Sequence, residues 1–511
     1  MRLGAELEFS NSLAGSYKVE MKDLKERAVR GGFAKLCAQV ANLVIRVGSL
    51  VILARLLNPT DFGLVAMVTA VTGLLNLFRD FGLSTATVQQ KDITEEQIST
   101  LFWINLIIGV ALAGLVAAGA GLVARFYHEP RLVWVTVALA SSFLFNATGV
   151  QHAALLKRQM RFTTLSMIDI GSLVVSVCVG IAMALAGLGY WALVGMTVVF
   201  PLIFTVLVWV VTSWVPGPPQ RHAGIRSMLH FGGTITLNGI VVYVAYNLEK
   251  VLLGRFWGAD ALGMYGRAYQ LINIPTENLN SAVGEVAFAA LSRTKDDLPR
   301  LRSYFLKGYS LVVAFTVPIT IACALFADDL ILVVLGSKWA EAAPIFRFLA
   351  PTILIFAMIN PMWWLLVSLG LAGRSLKIAL VLAPLVMASY VIGLPYGPTG
   401  VAIAYSSAMA LWVIPHVLWC IHGTVITFKD IAISVSRPLF SAVVAAVVAG
   451  GSVFYFLEST THVVRLVVGL SILLTVYIGM LFYIMGQKRF YLDLVVTLTR
   501  KSPPNSRVGL A

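Results

Sequence analysis

Of the chain's 511 residues, 59% are hydrophobic and only 12% are charged, with a mean hydropathy of +0.86. Soluble domains carry about 25% charged residues, so a soluble core cannot absorb this apolar excess and most of the chain belongs in lipid. The formal net charge of +14 sits in clusters between apolar stretches, which membrane topology explains better than a nucleic-acid partner, and Cys37, Cys178, Cys323 and Cys420 lie far apart with neither disulfide nor metal spacing.

Residues 1–31 contain no apolar stretch of signal-peptide type and read as a cytoplasmic N-terminal segment. Met21 opens a segment that reads as a natural start, so residues 1–20 are expected to be a disordered extension or a misplaced start codon. Beyond them, each crossing of ~30 Å of hydrocarbon needs about 20 mostly apolar residues. Spans are expected near 33–56, 62–88, 98–124, 132–154, 164–186 and 189–212. A Pro-rich linker, 213–226, follows. A second set lies near 227–255, 261–290, 303–326, 343–369, 375–394 and 397–421. After a cytoplasmic loop, 422–436, two more spans fill 437–485 and leave a tail, 486–511. The chain is therefore expected to be an all-α integral membrane protein of about fourteen transmembrane helices. These are grouped as an N-lobe (32–212), a C-lobe (227–421) and two C-terminal helices.

Lys and Arg set the orientation. The basic segments hold Lys18 to Arg30; Lys157, Arg158 and Arg161; Arg221 and Arg226; Arg293, Lys295, Arg300 and Arg302; Arg374 and Lys377; Lys429 and Arg437; and Lys488, Arg489, Arg500 and Lys501. All fall on one side if the helices alternate, whereas the opposite loops are short with isolated cations such as Arg131, Lys338 and Arg465. The positive-inside rule then places both termini in the cytoplasm.

The break between spans one and two, Ala54-Arg55-Leu56-Leu57-Asn58-Pro59-Thr60-Asp61-Phe62-Gly63, has a weaker copy at Gly254-Arg255-Phe256-Trp257-Gly258-Ala259-Asp260-Ala261-Leu262-Gly263, 200 positions on. Asn58 and Pro59 end one helix, and Asp61 is placed to cap the next. Gly187, Trp191 and Ala192 have counterparts in Gly397, Val401 and Ala402. An even number of helices precedes the second copy, so the halves read as parallel repeats, an arrangement that forms transporters with substrate sites between halves.

Polar residues inside the spans mark the candidate site, because ionisable groups in lipid are costly and normally face a cavity or a partner. Lys35, Gln39, Asn42, Arg46 and Ser49 share one face of span one. Thr69, Thr72, Asn76 and Arg79 do so in span two, and Thr236, Tyr243, Asn247 and Lys250 in span seven. Arg267, Gln270, Glu277, Asn278, Ser281 and Glu285 form a seam in span eight. Lys35, Arg55 and Arg255 lie near span ends and are read as snorkelling, while Arg46, Arg79 and Arg267 sit deeper and are expected to face a cavity. On the simplest reading Asp80 neutralises Arg79 and Glu249 neutralises Lys250. Asp169 admits two readings, a proton or sodium site or a partner of Arg46; Glu277 and Glu285 are further ion-coupling candidates. Trp191, Trp257, Trp363, Trp364 and Trp412 are expected as interfacial anchors. No metal-ligand, nucleotide-binding or nucleophile motif occurs, so no cofactor, metal or catalytic residue is expected.

The chain resembles the polysaccharide transporter family of the multidrug/oligosaccharidyl-lipid/polysaccharide flippase superfamily. The carrying residues are Gly31-Gly32-Phe33, Ala54 through Leu64, Asp80-Phe81-Gly82-Leu83-Ser84-Thr85-Ala86 with Gln89-Gln90-Lys91, and Gly189-Tyr190-Trp191-Ala192-Leu193-Val194. The resemblance implies two six-helix lobes meeting in a V. It also implies export of undecaprenyl-diphosphate-linked oligosaccharide repeat units for exopolysaccharide, capsule or lipopolysaccharide synthesis, in a bacterial inner membrane. A polymerase and a chain-length regulator of the same pathway are the implied partners. Cations in a hydrophilic vestibule would offset the diphosphate charge. The alternatives are a peptidoglycan-precursor flippase, a multidrug/cation antiporter, and, more remotely, a membrane polysaccharide polymerase.

Overall fold

The computed structural model describes residues 39–79, 84, 87–88, 93–220, 243–294, 296–457 and 459–488. The N-terminal segment, Lys35, Cys37, Asp80 with its pairing to Arg79, Arg221 and Arg226 of the linker, Thr236, Lys295, and the tail cations Arg489, Arg500 and Lys501 lie outside them. All regular structure among the described residues is helical. Among the described residues, ten helical runs are long and apolar enough to cross a membrane; one of them, Gly373–Ile421, contains two helices parted at Gly397. Two compact units, 1–244 and 245–511, divide the chain, so the boundary falls inside the seventh expected span rather than in the linker.

The first unit holds α1 (Gln39–Leu56), α2 (Pro59–Asn76), α3 (Glu95–Ala118), α4 (Ala120–Tyr127), α5 (Leu132–Arg158), α6 (Phe162–Leu185) and α7 (Trp191–Thr212). Asn58 is extended and Pro59 opens α2, where its missing N–H would have no helical partner anyway. Asp61 caps the helix from its third position, its Oδ2 accepting the Asn58 N–H at 2.9 Å. Thr94 and Gln97 cap α3 reciprocally, at 3.1 and 3.2 Å. Helices approach closely where side chains are small: a Cβ on Gly109 of α3 would lie 2.3 Å from the Ala147 Cβ of α5.

One end of this unit gathers three turns. A Cβ on Gly189 would meet the Asp61 carboxylate at 3.2 Å, and Arg131 lies within electrostatic reach of Asp61 and Tyr190. Arg131, the single cation of its loop, binds Glu129 at 2.8 Å and holds that carboxyl below its ordinary range. At the other end the first half of the linker is docked on α3. Trp103 Nε1 donates to the Gly217 carbonyl at 2.8 Å, and the Gly217 N–H donates to Ser99 Oγ at 3.0 Å. His152 of α5 stacks on Trp209 beside Trp214, a buried packing role.

The second unit holds α8 (Leu248–Arg293), α9 (Leu298–Leu325), α10 (Ala327–Val334), α11 (Ala342–Leu349), α12 (Pro351–Ser368), α13 (Ala372–Gly393), α14 (Gly397–Ile421), α15 (Phe428–Phe456) and α16 (His462–Gly479), which runs into a π turn, Met480–Ile484. The 46 residues of α8 would make a rod of about 69 Å, over twice the membrane core. Gly258 breaks it with φ +83° and ψ −175°, a conformation suited to glycine, at the turn expected between spans seven and eight. Trp257 Nε1 donates across to the Leu394 carbonyl at 2.8 Å. Thus each unit joins its first helical turn to the turn before its last repeat helix: Asp61 to Gly189 in one, Trp257 to Leu394 in the other.

The two C-terminal helices are not an appendage of the second unit. They share its core with α9, and the Tyr477 hydroxyl donates to the Ala314 carbonyl at 2.7 Å. The α9–α12 connection carries the short helices α10 and α11 and an ionic cluster. Arg347 pairs with Asp328, and Asp329 accepts from His462 at 2.6 Å with Arg465 at 3.7 Å, so Arg465 also has a carboxylate beside it. Trp364, expected as an interfacial anchor, is buried over Gly284, whereas Trp363 is half exposed and stacks on Phe288.

A Cβ on Gly393 would lie 2.5 Å from the Gly400 carbonyl oxygen, backbone that cannot swing aside. Gly393→Ala is therefore expected to lower thermal stability in detergent by about 2 kcal/mol or more. Gly373→Ala in the same helix meets nothing within 4 Å and should stabilise by up to about 1 kcal/mol.

Candidate functional site

In the first unit the polar face of α1 is real but uneven. Gln39 and Asn42 are half-buried, Ser49 is buried and Arg46 is exposed. Ser49 spends its hydroxyl on the Arg46 carbonyl at 2.9 Å. Asn42 Nδ2 donates to Asp169 Oδ2 of α6 at 3.2 Å, and the Asn42 Oδ1 is buried without a hydrogen-bond partner. The second reading of Asp169, an ion pair with Arg46, does not occur among the described residues: the carboxylate meets the amide one helical turn away. That leaves the Arg46 guanidinium one helical turn along α1 from the Asn42–Asp169 bond.

The α2 stripe divides. Thr72 is buried and bonds the Val68 carbonyl at 3.0 Å, and Thr69 bonds Ala66 at 3.2 Å, so both threonines serve their own helix. Tyr243 reaches over Gly73 to donate to the Ala70 carbonyl at 3.0 Å, which gives this residue a packing role too. Asn76, the last residue of α2, is exposed, and Arg79 beyond it is half-buried.

In the second unit Lys250 Nζ donates to Asn247 Oδ1 at 2.6 Å, at the start of α8. Glu249, read from sequence as the neutraliser of Lys250, is fully buried and lies within electrostatic reach of Lys250, with no direct ion pair between them among the described residues. Arg267 is half-buried and bonds the exposed Gln270 one turn on. Glu277 is exposed, and Glu285 lies in α8 with its side chain outside the described ones, as do Asn278 and Ser281.

Glu249 is the residue that sequence reading undervalued. Its two carboxylate oxygens are buried with no hydrogen-bond partner among the described residues, and so are the Tyr265 hydroxyl and Ser406 Oγ of the same unit. Tyr265, Tyr269 and Tyr390 lie within electrostatic range of it; Tyr265 stacks with Tyr269 at 6.1 Å and Tyr390 leans on Tyr405 at 5.4 Å. The amides of the first turn of α8 turn their positive ends toward it. Burial sets a cost of several kcal/mol on an ionised carboxylate at this position, which the neighbouring Lys250 charge offsets in part. The adjoining Lys250 concealed the signal in sequence, and of the tyrosines within range Tyr265 and Tyr269 lie further along α8 while Tyr390 comes from α13. Because glutamine keeps an acceptor oxygen for the amides of the first turn and carries no buried charge, Glu249→Gln is expected to melt in detergent at the same temperature as wild type or higher; a fall of several degrees would assign it a structural pairing.

Comparison with known proteins agrees with this architecture. The profile of the family described as Polysaccharide biosynthesis protein matches residues 52–344. Teichuronic acid biosynthesis protein TuaB of Bacillus subtilis (strain 168) is 32% identical over 334 residues, 64% of this chain and 68% of that one. Lipopolysaccharide biosynthesis protein WzxC of Escherichia coli (strain K12) is 25% identical over 362 residues, 69% of this chain and 72% of that one. Among solved structures, lipid II flippase MurJ in an inward closed conformation matches with a TM-score of 0.71 at 13% identity, over 91% of this chain and all of that one, a likeness of fold. The protein is a multi-pass membrane protein, and it belongs to the Polysaccharide biosynthesis protein family.

Proposed function

We propose that the protein is a flippase that exports polyprenyl-diphosphate-linked oligosaccharide repeat units for exopolysaccharide, capsule or lipopolysaccharide synthesis, by alternating access between its two halves. The observation that carries the reading is Arg46: a guanidinium held exposed in the middle of an apolar helix beside the Asn42–Asp169 pair. A charge in that position has to face water or an anion, and a diphosphate headgroup crossing the bilayer is an anion that needs charge-assisted hydrogen bonds in place of water. Asn76, Arg79, Gln39, Asn247, Lys250, Arg267 and Gln270 are proposed to serve the same headgroup. The names of the relatives, which concern teichuronic acid and lipopolysaccharide biosynthesis and succinoglycan transport, support a polymer-precursor cargo.

The protein is proposed to sit in a bacterial inner membrane with both termini in the cytoplasm, working with a polymerase and a chain-length regulator. Coupling to an ion gradient is assigned to Asp169 and Glu249, with Glu277 and Glu285 behind them. Export of a peptidoglycan precursor is the second reading, favoured by the fold likeness to a lipid II flippase.

Purified protein in liposomes, with fluorescent lipid-linked sugar in one leaflet, is expected to exchange that lipid well above the rate in empty liposomes; equal rates would overturn the flippase reading. Arg46→Ala and Arg79→Ala are expected to cut polymer export at least tenfold at unchanged protein abundance, which corresponds to about 1.4 kcal/mol of lost stabilisation for the moving anion. Glu249→Gln should flatten the pH dependence of lipid exchange while leaving the protein folded.

A further inference from the structure

The cation-rich end of the second unit contains a cavity of about 300 Å³ between α9 and α15, closed on one side by the segment after the π turn. Its polar lining is Ser303, Lys307 and Ser310 of α9, Ser434 and Arg437 of α15, and Gln487. Lys307 and Arg437 are both exposed, and neither is in an ion pair among the described residues. The carboxylate nearest along α15, Asp430, is already taken: Arg302 grips it at 2.6 and 3.0 Å, and it accepts the Thr427 N–H at 3.0 Å. Two positive charges thus line one cavity with serine hydroxyls among them and no carboxylate in its lining.

The depth of the cavity is fixed by helix length. α9 has 28 residues and α15 has 29, so each is about 42–43 Å long and overshoots a hydrocarbon core of ~30 Å by roughly 12 Å. Ser303 and Lys307 fall in the first ten residues of α9, Ser434 and Arg437 in the first ten of α15, and Gln487 follows the end of α16. With the overshoot placed at this end, these segments come near the level of the lipid headgroups, and the long Lys307 and Arg437 side chains can snorkel to it. Lys488 over the Tyr483 ring, 5.3 Å from its centroid, adds the aromatic-cation pairing common at that depth.

We propose that this cavity binds the phosphate of a membrane lipid, held by Lys307 and Arg437 with a hydroxyl donor from Ser303; the Ser434 hydroxyl is spent on the Asp430 carbonyl at 2.9 Å. A phosphate supplies the two lone-pair-rich faces that an ammonium and a guanidinium on opposite walls require, and the volume is that of a small-ligand site. The ligand chemistry has two sources, the phosphodiester of an anionic phospholipid and the diphosphate of a polyprenyl lipid. The inference stands without the transport reading, because a bilayer phospholipid would fill the site whatever the cargo.

Native mass spectrometry of the full-length protein in detergent separates the outcomes, with phosphatidylglycerol added in one arm and undecaprenyl diphosphate in the other. The double variant Lys307→Gln/Arg437→Gln is expected to retain about tenfold less lipid than wild type. The charge-preserving Lys307→Arg/Arg437→Lys and the remote Lys338→Gln should retain it. Loss confined to undecaprenyl diphosphate assigns the site to cargo, and loss confined to phosphatidylglycerol, or shared by both arms, assigns it to bulk phospholipid or to lipid phosphate in general. Undiminished retention of both lipids overturns the proposal. If the double variant is not monodisperse, the single Arg437→Gln, an exposed change, gives the same readout with a several-fold loss expected.

Discussion

A backbone amide inside hydrocarbon has no water to bond, and the rest of this structure follows from that constraint. It makes the apolar stretches among the described residues helical, and it leaves amides and carbonyls over at helix ends, where caps are needed. Asn58 with Asp61, Thr94 with Gln97, and Thr427 with Asp430 each supply caps at such ends. Indole N–H groups do the converse, donating to carbonyls outside their own helix: Trp103 to Gly217, Trp209 to Thr148 and Trp257 to Leu394. Between helices, where hydrophobic burial offers no advantage over lipid, contact comes from close approach at small residues such as Gly109 against Ala147 and Gly393 against Gly400.

The same scarcity of water sorts the charged side chains. Arg131 with Glu129, Arg302 with Asp430, Arg347 with Asp328, and Asp329 with His462 are all found at the ends or in the connections of the apolar helices. Exposed pairs of this kind add little stability, but they leave no charge to explain. Among the described residues, places outside this pattern include Arg46 near the Asn42–Asp169 bond, the buried Glu249 among tyrosines, and Lys307 and Arg437 in the lining of one cavity. A passing anion, a proton or cation, and a lipid phosphate are the partners proposed for them.

Much of the site was legible because helical periodicity is geometric. Gln39, Asn42, Arg46 and Ser49 fall on one face at steps of three and four whatever surrounds them. What that geometry does not contain is depth and neighbours. Thr72 and Thr69 look like lining residues on a helical wheel, yet their hydroxyls bond carbonyls of their own turn. Glu249 looks like half of a pair with Lys250, yet the two point to different sides of α8 and only one of them is buried. Trp364 has the same character as Trp363 in sequence, and only packing against Gly284 makes one core and the other surface.

The sequence by itself determined that this is a helical membrane protein, where its helices break, and which faces are polar. Hydropathy, proline and glycine punctuation and a period of 3.6 are local properties, and lipid allows them one secondary structure. Tertiary structure alone decided which polar residues are spent on neighbours. Asp169 meets Asn42 and not Arg46, Asp430 is consumed by Arg302 so that Arg437 is left over, and the first half of the linker is tied down on α3. Those outcomes depend on pairings between residues more than a hundred positions apart, where distances of 2.6 to 3.2 Å separate a satisfied group from an available one.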